Sequence, residues 1–240
     1  MTRVLDWKQI EAALEGIDLV AAMERAFVAY SEGRAVVPPV GELLLDDPRG
    51  EVHIKYGYVR DEPGYVVKVA SGFPGNVARD LPPNDGLMLL FDRESGAPEV
   101  VLLDGGRLTD LRTAAAGAVA AKHMAPPRVE RIGLLGTGVQ ARLQVDHLRG
   151  VTECREVLVW GRKGARLDAC LGDLRALGFA AMGASSPAEV GDACDLIVTT
   201  TASEVPRPVS SSAPRGSSPW ARFPPATPLW RTLTDPSTES

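Results

Sequence analysis

The clearest indication of this chain's fold is the segment Val129-Glu130-Arg131-Ile132-Gly133-Leu134-Leu135-Gly136-Thr137-Gly138-Val139-Gln140-Ala141. It reads as an apolar strand, a tight glycine turn and the start of a helix. Gly136 permits the turn, Gly138 lets the backbone approach a pyrophosphate, and Ala141 lets the helix pack closely on the strand. The helix N-terminus adds N–H groups and a partial positive charge. The order predicts a nucleotide-binding turn; the alternative is a glycine-rich α/β turn without a ligand.

Strand and helix patterns alternate after this point, which predicts parallel strands joined by right-handed crossovers. The predicted strands are 129–135, 156–160, 179–182 and 195–201. The predicted helices are 138–149, 164–177 and 187–193.

The first half has a different pattern, with two helices within 7–32 and a β-rich block after them. Asp18 is the expected cap of the second helix. Short strands joined by turns predict an antiparallel or mixed sheet, with strands near 52–56, 65–69, 86–91 and 99–103.

A helix over 109–124 then connects the two halves and stops at the Pro126-Pro127 pair. Its alanines have small side chains and Gly117 has none, so a neighbouring backbone can approach closely. The predicted organisation is an N-terminal α+β domain at 1–125, a Rossmann-type domain at 126–203 and a tail at 204–240.

The composition is ordinary for a soluble globular protein of 240 residues, with 45% hydrophobic and 24% charged residues. A net charge of -5 does not favour nucleic acid or an anionic membrane as a partner. Neither the three cysteines nor the three histidines have metal-ligand spacing, so we expect no metal. No signal peptide or transmembrane segment is predicted, and a reducing cytoplasm fits best.

The last 37 positions, 204–240, hold eight prolines and seven serines and no regular period. This composition cannot build a packed core. We expect a truncated or frame-shifted C-terminus, because a dinucleotide domain normally continues with two more strands. The alternative is a genuine disordered tail on a smaller domain.

Several segments together resemble the ornithine cyclodeaminase / mu-crystallin family over about residues 1–203. The L-T-D-x-R-T-A-A block is specific to that family, whereas the glycine motif alone is not. The matching segments are 65–73, 108–115, 136–141 and 195–201.

The resemblance implies an N-terminal substrate-binding and dimerisation domain, a Rossmann domain, and an active site in the cleft between them. It also implies a nicotinamide cofactor and hydride transfer on amino acids or cyclic imines. Such proteins cyclise ornithine to proline, reduce ketimines such as pyrroline-2-carboxylate, or interconvert alanine and pyruvate. The expected assembly is a homodimer.

Lys68 corresponds to the active-site lysine in this resemblance. Its pattern alone favours a lysine guarding an exposed strand edge. A desolvated ammonium could hold a substrate carboxylate or exchange protons with an imine.

The resemblance implies that Arg112 contacts the substrate carboxylate or the cofactor phosphate. The sequence pattern predicts that it lies in the first turn of its helix. Thr113 beside it could add a hydroxyl to a phosphate. Lys55 is a weaker substrate-binding candidate. Many family members carry an arginine near Pro38-Pro39 that binds the substrate carboxylate, and this arginine is absent here. Lys55 either replaces it or is a solvated strand lysine, and the missing arginine puts ornithine in doubt as the substrate.

The cofactor is expected along the glycine turn and at the end of the second strand, Trp160-Gly161-Arg162-Lys163. An NAD enzyme usually has a carboxylate at that end. Two cations there favour NADP(H) over NAD(H); the alternative is a basic loop facing water. The candidate cofactor-binding residues are Thr113, Gly136, Thr137, Gly138, Val139, Gln140, Arg162, Lys163 and Thr200.

The largest departure from the family is the missing G-x-D-x-P-like segment with its catalytic aspartate. Asp235 lies in the unpatterned tail and is not assigned that role. We therefore expect an oxidoreductase or cyclodeaminase-type chain that folds poorly and has little activity. The alternative function is a non-catalytic dimer that binds NADP(H) or a small carboxylate.

Overall fold

A computed structural model describes residues 1–162 and 164–201, which form two compact units. The first unit comprises 1–129 and 138–153, and the second comprises 130–137 and 154–201. Lys163, Asp235 and the predicted tail lie outside the described residues. Each unit has its own β-sheet.

The first unit contains a mixed seven-stranded sheet in the order β1-β7-β6-β5-β4-β2, with β3 also paired to β4. Only the β1–β7 pair is parallel. The sequence patterns missed the first three strands, because β1 and β2 are very short and β3 is exposed throughout. The strands are β1 Arg3–Leu5, β2 Ala35–Val36, β3 Gly41–Asp46, β4 Arg49–Val59, β5 Gly64–Gly72, β6 Asn84–Asp92 and β7 Pro98–Leu102.

Four α-helices and a short 3-10 helix, Pro74–Arg79, complete this unit. Asp18 caps the second helix as predicted, since its carboxylate accepts a hydrogen bond from the Ala21 N–H at 2.9 Å. The helices are α1 Trp7–Leu14, α2 Leu19–Ser31, α3 Arg107–Met124 and α4 Val139–Leu148.

Helix α3 packs against α2 and α4 through small residues. Ala114, Ala115 and Ala118 are fully buried. At Gly117 a Cβ atom would lie 1.9 Å from Oε1 of Gln144, so a larger residue would displace the Gln144 amide. The close neighbour of α3 at this point is the Gln144 side chain of α4.

The second unit contains a parallel sheet in the order β10-β9-β8-β11. In chain order this is 3-2-1-4, the beginning of the doubly wound dinucleotide-binding arrangement. The carboxyl ends of all four strands lie at one edge, where such folds bind ligands. The elements are β8 Ile132–Leu135, β9 Glu156–Trp160, α5 Ala165–Ala176, β10 Ala180–Gly183, α6 Pro187–Ala193 and β11 Leu196–Thr199.

The core of this unit is formed by strand residues such as Ile132, Leu134, Val157 and Val159, which are fully buried. Asp195 joins two neighbouring strands at their start: its carboxylate accepts hydrogen bonds from the N–H groups of Glu130 at 2.8 Å and Arg131 at 3.1 Å. The predicted α/β class with a Rossmann-type parallel sheet is confirmed. None of the helices in the described ranges has the length and apolar character needed to cross a bilayer.

Candidate functional site

Lys68 lies at the centre of the first sheet, because β5 is paired with β4 on one side and β6 on the other. It therefore does not protect an exposed edge. Its side chain is half-buried, and its ammonium donates a hydrogen bond to Oγ1 of Thr109 at 3.1 Å. This contact connects the strand to the first turn of α3, a role for Thr109 that the sequence did not suggest.

The surroundings of Lys68 disfavour its positive charge. Burial, followed by the charges of Arg112 and Lys55, lowers its pKa from 10.5 to about 8, while Asp104 acts in the opposite direction. The ammonium is thus charged at neutral pH but close enough to its pKa to give up a proton. A group of this kind can bind an anion and exchange protons with a ligand.

Lys55 is exposed and stands directly opposite Lys68 in the β4–β5 pairing. Directly paired residues place their side chains on the same face of a sheet, and like charges in such a pair destabilise it. In residues 1–162 and 164–201, no carboxylate lies within the 4.0 Å ion-pair distance of Lys55, Lys68 or Arg112. The arrangement is suited to an anionic ligand.

Arg112 lies in the second turn of α3, not in the first turn as expected, because the helix begins at Arg107 instead of Thr109. The residue is exposed. Partial desolvation nevertheless lowers the pKa of its guanidinium, and the charge of Asp110 opposes that effect. Arginine has the highest pKa of the ionisable side chains, so the guanidinium remains a candidate for binding an anion.

Asp104 explains the earlier start of α3 and is the residue that the sequence analysis missed most clearly. It is 2% exposed, and its Oδ2 accepts a hydrogen bond from the Leu108 N–H at 3.0 Å. Gly105 and Gly106, with φ of +59° and +81°, form the turn between it and the helix. Its other oxygen, Oδ1, has no hydrogen-bond partner among the described residues. In the sequence, the order Asp-Gly-Gly before a predicted helix could have indicated this earlier helix start.

The first turn of α4 lies beside the first turn of α3 in the same unit. The Gln140 amide donates hydrogen bonds to the backbone oxygen of Asp110 at 3.1 Å and to its Oδ1 at 2.9 Å. The buried Gln144 amide donates to the Thr113 carbonyl at 3.1 Å. The Thr113 hydroxyl donates to the Thr109 carbonyl at 2.7 Å, so it would have to exchange this bond to donate to a phosphate.

The glycine turn after β8 has a conformation that requires Gly136. Its φ is +124°, and a Cβ atom there would lie 2.5 Å from Oγ1 and 2.8 Å from the backbone oxygen of Thr200. The Gly136 N–H donates to the Trp160 carbonyl at 2.9 Å, and the Thr200 N–H donates to the Leu135 carbonyl at 2.8 Å. The turn and Thr200 are therefore packed together at the carboxyl ends of the strands.

Gly138 differs from Gly136, because its φ of -80° is ordinary and a Cβ atom on it would have no neighbour within 4 Å. It begins α4, whose first N–H groups have no partner within the helix. Val139, next to it, is 55% exposed. This open backbone is the feature that a pyrophosphate needs, so the local structure fits a dinucleotide.

The loop after β9 lies against the same turn, since a Cβ atom on Gly161 would lie 2.5 Å from Cγ2 of Thr137. Arg162 follows and is exposed. Lys163, the other cation predicted to contact the cofactor, is outside the described residues.

Comparisons with known proteins agree with this arrangement. The model of the "Ornithine cyclodeaminase/mu-crystallin family" matches residues 1–212, nine residues further than the resemblance noted from the sequence. A Rhizobium meliloti relative with a provisional dehydrogenase name is 39% identical over 202 residues, covering 82% of this chain and 61% of the relative.

Two solved structures have the same fold. The Thermococcus litoralis pyrroline-2-carboxylate reductase, in complex with NADH and L-proline, aligns with a TM-score of 0.77 at 26% identity, covering 82% of this chain and 61% of that one. An archaeal alanine dehydrogenase dimer with bound NAD aligns with a TM-score of 0.76 at 28% identity, covering 83% and 60%.

The chain thus spans about three fifths of the length of these relatives. The family model nevertheless covers most of the chain, and the family-specific block at 108–115 lies on the helix that contacts Lys68. This chain belongs to the ornithine cyclodeaminase/mu-crystallin family.

Proposed function

We propose that this chain binds a nicotinamide nucleotide at the glycine turn and an amino acid or cyclic imine beside Lys68, for hydride transfer at the carbon bonded to nitrogen. The observation that carries the proposal is the half-buried Lys68, which donates a hydrogen bond to Thr109. Two further cations, Lys55 and Arg112, accompany it and form no ion pair among the described residues. The cofactor would supply the hydride acceptor or donor.

Lys68 would act in two ways. In its charged form the ammonium binds the substrate carboxylate, and in its neutral form it exchanges a proton with the substrate nitrogen. A pKa of about 8 makes both forms accessible near neutral pH. Thr109 orients the ammonium by accepting its hydrogen bond.

Arg112 would bind a carboxylate or phosphate, because a guanidinium presents two parallel donors to an oxyanion. Asp110 lies two residues before it on α3 and also accepts from Gln140 on α4. The start of the proposed nucleotide-binding helix and the proposed substrate residues are therefore connected within the first unit.

The cofactor residues of the proposal are those around the glycine turn: Gly136, Thr137, Gly138, Val139, Gln140 and Thr200. NADP(H) is the preferred form, because the stretch 160–163 contains Arg162 and Lys163 and no carboxylate to accept the ribose hydroxyls. The names of the two structural relatives, bound to NADH and NAD, support a nicotinamide but not this preference.

A homodimer is part of the proposal, and an apolar sheet face supports it. Strand register puts Tyr56, Val67, Leu89 and Val101 on the face opposite Lys68, and Ile54, Val69 and Leu87 beside them. On this face Ile54 is 42% and Tyr56 44% exposed, and an open concavity of about 470 Å³ lies at Val69 and Leu87. A large exposed apolar surface of this kind commonly binds a protein partner.

The cytoplasm is the proposed location. Burial raises the pKa of Cys194 to about 11, so this thiol stays protonated. A protonated thiol suits a reducing compartment.

The decisive experiment is a fluorescence titration of the purified chain with NADPH and NADH, followed by assays with pyrroline-2-carboxylate and ornithine. Gly138→Ala adds a methyl group to open space, so it should preserve the melting temperature and weaken nucleotide binding. Lys68→Ala should abolish turnover.

Nucleotide binding without turnover by the wild type would favour the non-catalytic alternative. A folded wild-type chain that binds neither nucleotide would contradict the proposal, as would a Gly138→Ala variant with unchanged affinity.

A further inference from the structure

We propose that the substrate beside Lys68 carries a second carboxylate, which Lys55 binds. The substrate class is thus an amino- or imino-dicarboxylic acid. This inference rests on the proposed function, because it assumes that Lys68 binds the first carboxylate.

The first argument is the strand register. Lys55 and Lys68 are paired directly within an unbroken run of partners from Glu51 and Gly72 to Tyr58 and Tyr65. Such paired residues have Cβ atoms about 4.5–5.5 Å apart and project to the same side. The two side chains therefore extend from one face of the sheet, where their ammonium groups can reach two carboxylates of one small molecule.

The second argument is the balance of charge. Lys55, Lys68 and Arg112 contribute three positive charges, and the acidic side chain whose charge supports Lys68 is Asp104. Asp104 is buried, and one of its oxygens is already bonded to the Leu108 N–H. Asp110 acts in the same way on Arg112, so one positive charge of the cluster remains. An amino acid with one carboxylate has no net charge and leaves the cluster positive, whereas a second carboxylate compensates for the remaining charge.

The nearby acidic side chains on this face form no ion pair with Lys55 in the described ranges. Glu42 and Glu51 lie on the same face, but they approach His53, at 3.8 Å from Nδ1 and 3.6 Å from Nε2. Lys55 itself is exposed and forms no ion pair in the described ranges. A substrate with a side-chain ammonium, such as ornithine, would be repelled by Lys55, whereas a side-chain carboxylate would be attracted.

The experiment measures the affinity of the full chain, saturated with NADPH, for L-aspartate, L-alanine and L-ornithine by calorimetry. The wild type should bind L-aspartate at least tenfold more tightly than L-alanine. Lys55→Met should bring this ratio close to one, and Lys55→Glu should favour L-ornithine over L-aspartate. Lys122→Met, on the far end of α3, should retain the wild-type ratio, and melting temperatures confirm that each variant is folded.

Equal wild-type affinities for L-aspartate and L-alanine, both lost in Lys68→Met, would overturn this inference and leave the proposed function intact. An aspartate preference that Lys55→Met retains would also overturn it. Failure of the folded chain to bind any of the three amino acids would contradict both proposals.

Discussion

The hydroxyl of Thr109 accepts a hydrogen bond from the ammonium of Lys68 at 3.1 Å, which joins the middle of the first sheet to the first turn of α3. A lysine in an apolar strand has many rotamers, and this bond selects one of them. Helix α3 thus orients the Lys68 ammonium and also carries Arg112, the third cation of the cluster.

Replacing Thr109 with valine should weaken binding of a carboxylate ligand by about tenfold, since a hydrogen bond to a charged group contributes about 1.5–3 kcal/mol. The shape of the side chain is retained and only the acceptor is lost. Thr109→Ser retains the hydroxyl and should bind as the wild type does. Calorimetric titration of all three proteins is the measurement; equal affinities would refute an orienting role.

Replacing Lys68 with methionine should raise the melting temperature at neutral pH. The folded-state pKa of about 8 lies below the unfolded value of 10.5, so the folded state penalises the charged lysine. That penalty is complete below pH 8, decreases between pH 8 and 10.5 and vanishes above, because the unfolded chain binds more protons in that interval.

Thermal melts from pH 6 to pH 11 should therefore show a stability difference between Lys68→Met and wild type that shrinks above pH 8. Lys8→Met, on an exposed position of α1, is the matched control and should have no such trend. A difference that grows with pH would contradict the assigned environment.

Carboxylate binding by the wild type should weaken above pH 8, because only the charged Lys68 attracts the ligand. Once most of Lys68 is deprotonated, the affinity should fall by about tenfold for each further pH unit. Bound ligand raises the pKa of Lys68, so saturating ligand should shift the midpoint upward. A flat profile from pH 7 to pH 10 would show that another group binds the carboxylate.

Gly117→Ala should destabilise the first unit by about 1–3 kcal/mol, because overpacking a close helix contact forces side chains from their positions. The new methyl group would meet Oε1 of Gln144 at 1.9 Å, and that amide is bonded to Thr113. Chemical denaturation provides the measurement. Gly172→Ala is the control, since its helical site in α5 is open and should be neutral or slightly stabilised.

The double variant Gly117→Ala with Gln144→Ala should recover part of the lost stability, because the clashing amide is absent. Destabilisation that is additive in the double variant would mean that the two residues do not interact.

Ile54→Glu should convert a dimer to a monomer, since a charge on the apolar sheet face would be buried by the second copy. Light scattering after gel filtration measures the mass directly. Val77→Glu, at a 54% exposed position of the 3-10 helix, should leave the mass unchanged. A wild type that is monomeric at micromolar concentration would remove the dimer from the proposal.

Local patterns predicted much of the candidate site. The glycine turn was located by its residue types, because Gly136 needs a positive φ and Gly138 needs an open backbone. Lys68 and Arg112 were selected by resemblance, and the structure brings both into one electrostatic cluster. Asp104 and Thr109 were missed, because their significance depends on burial and on a contact between residues 41 positions apart.

Most element types and the glycine turn could be predicted from the sequence, because strand alternation, helix caps and turn residues act over a few neighbouring positions. The family followed from its specific motifs. Long-range contacts in the folded chain were needed to show that Lys55 faces Lys68, that β1 pairs in parallel with β7, and that α4 packs on α3 at Gly117. Register, partner choice and desolvation arise from contacts between distant segments, and no local pattern encodes the energies of those contacts.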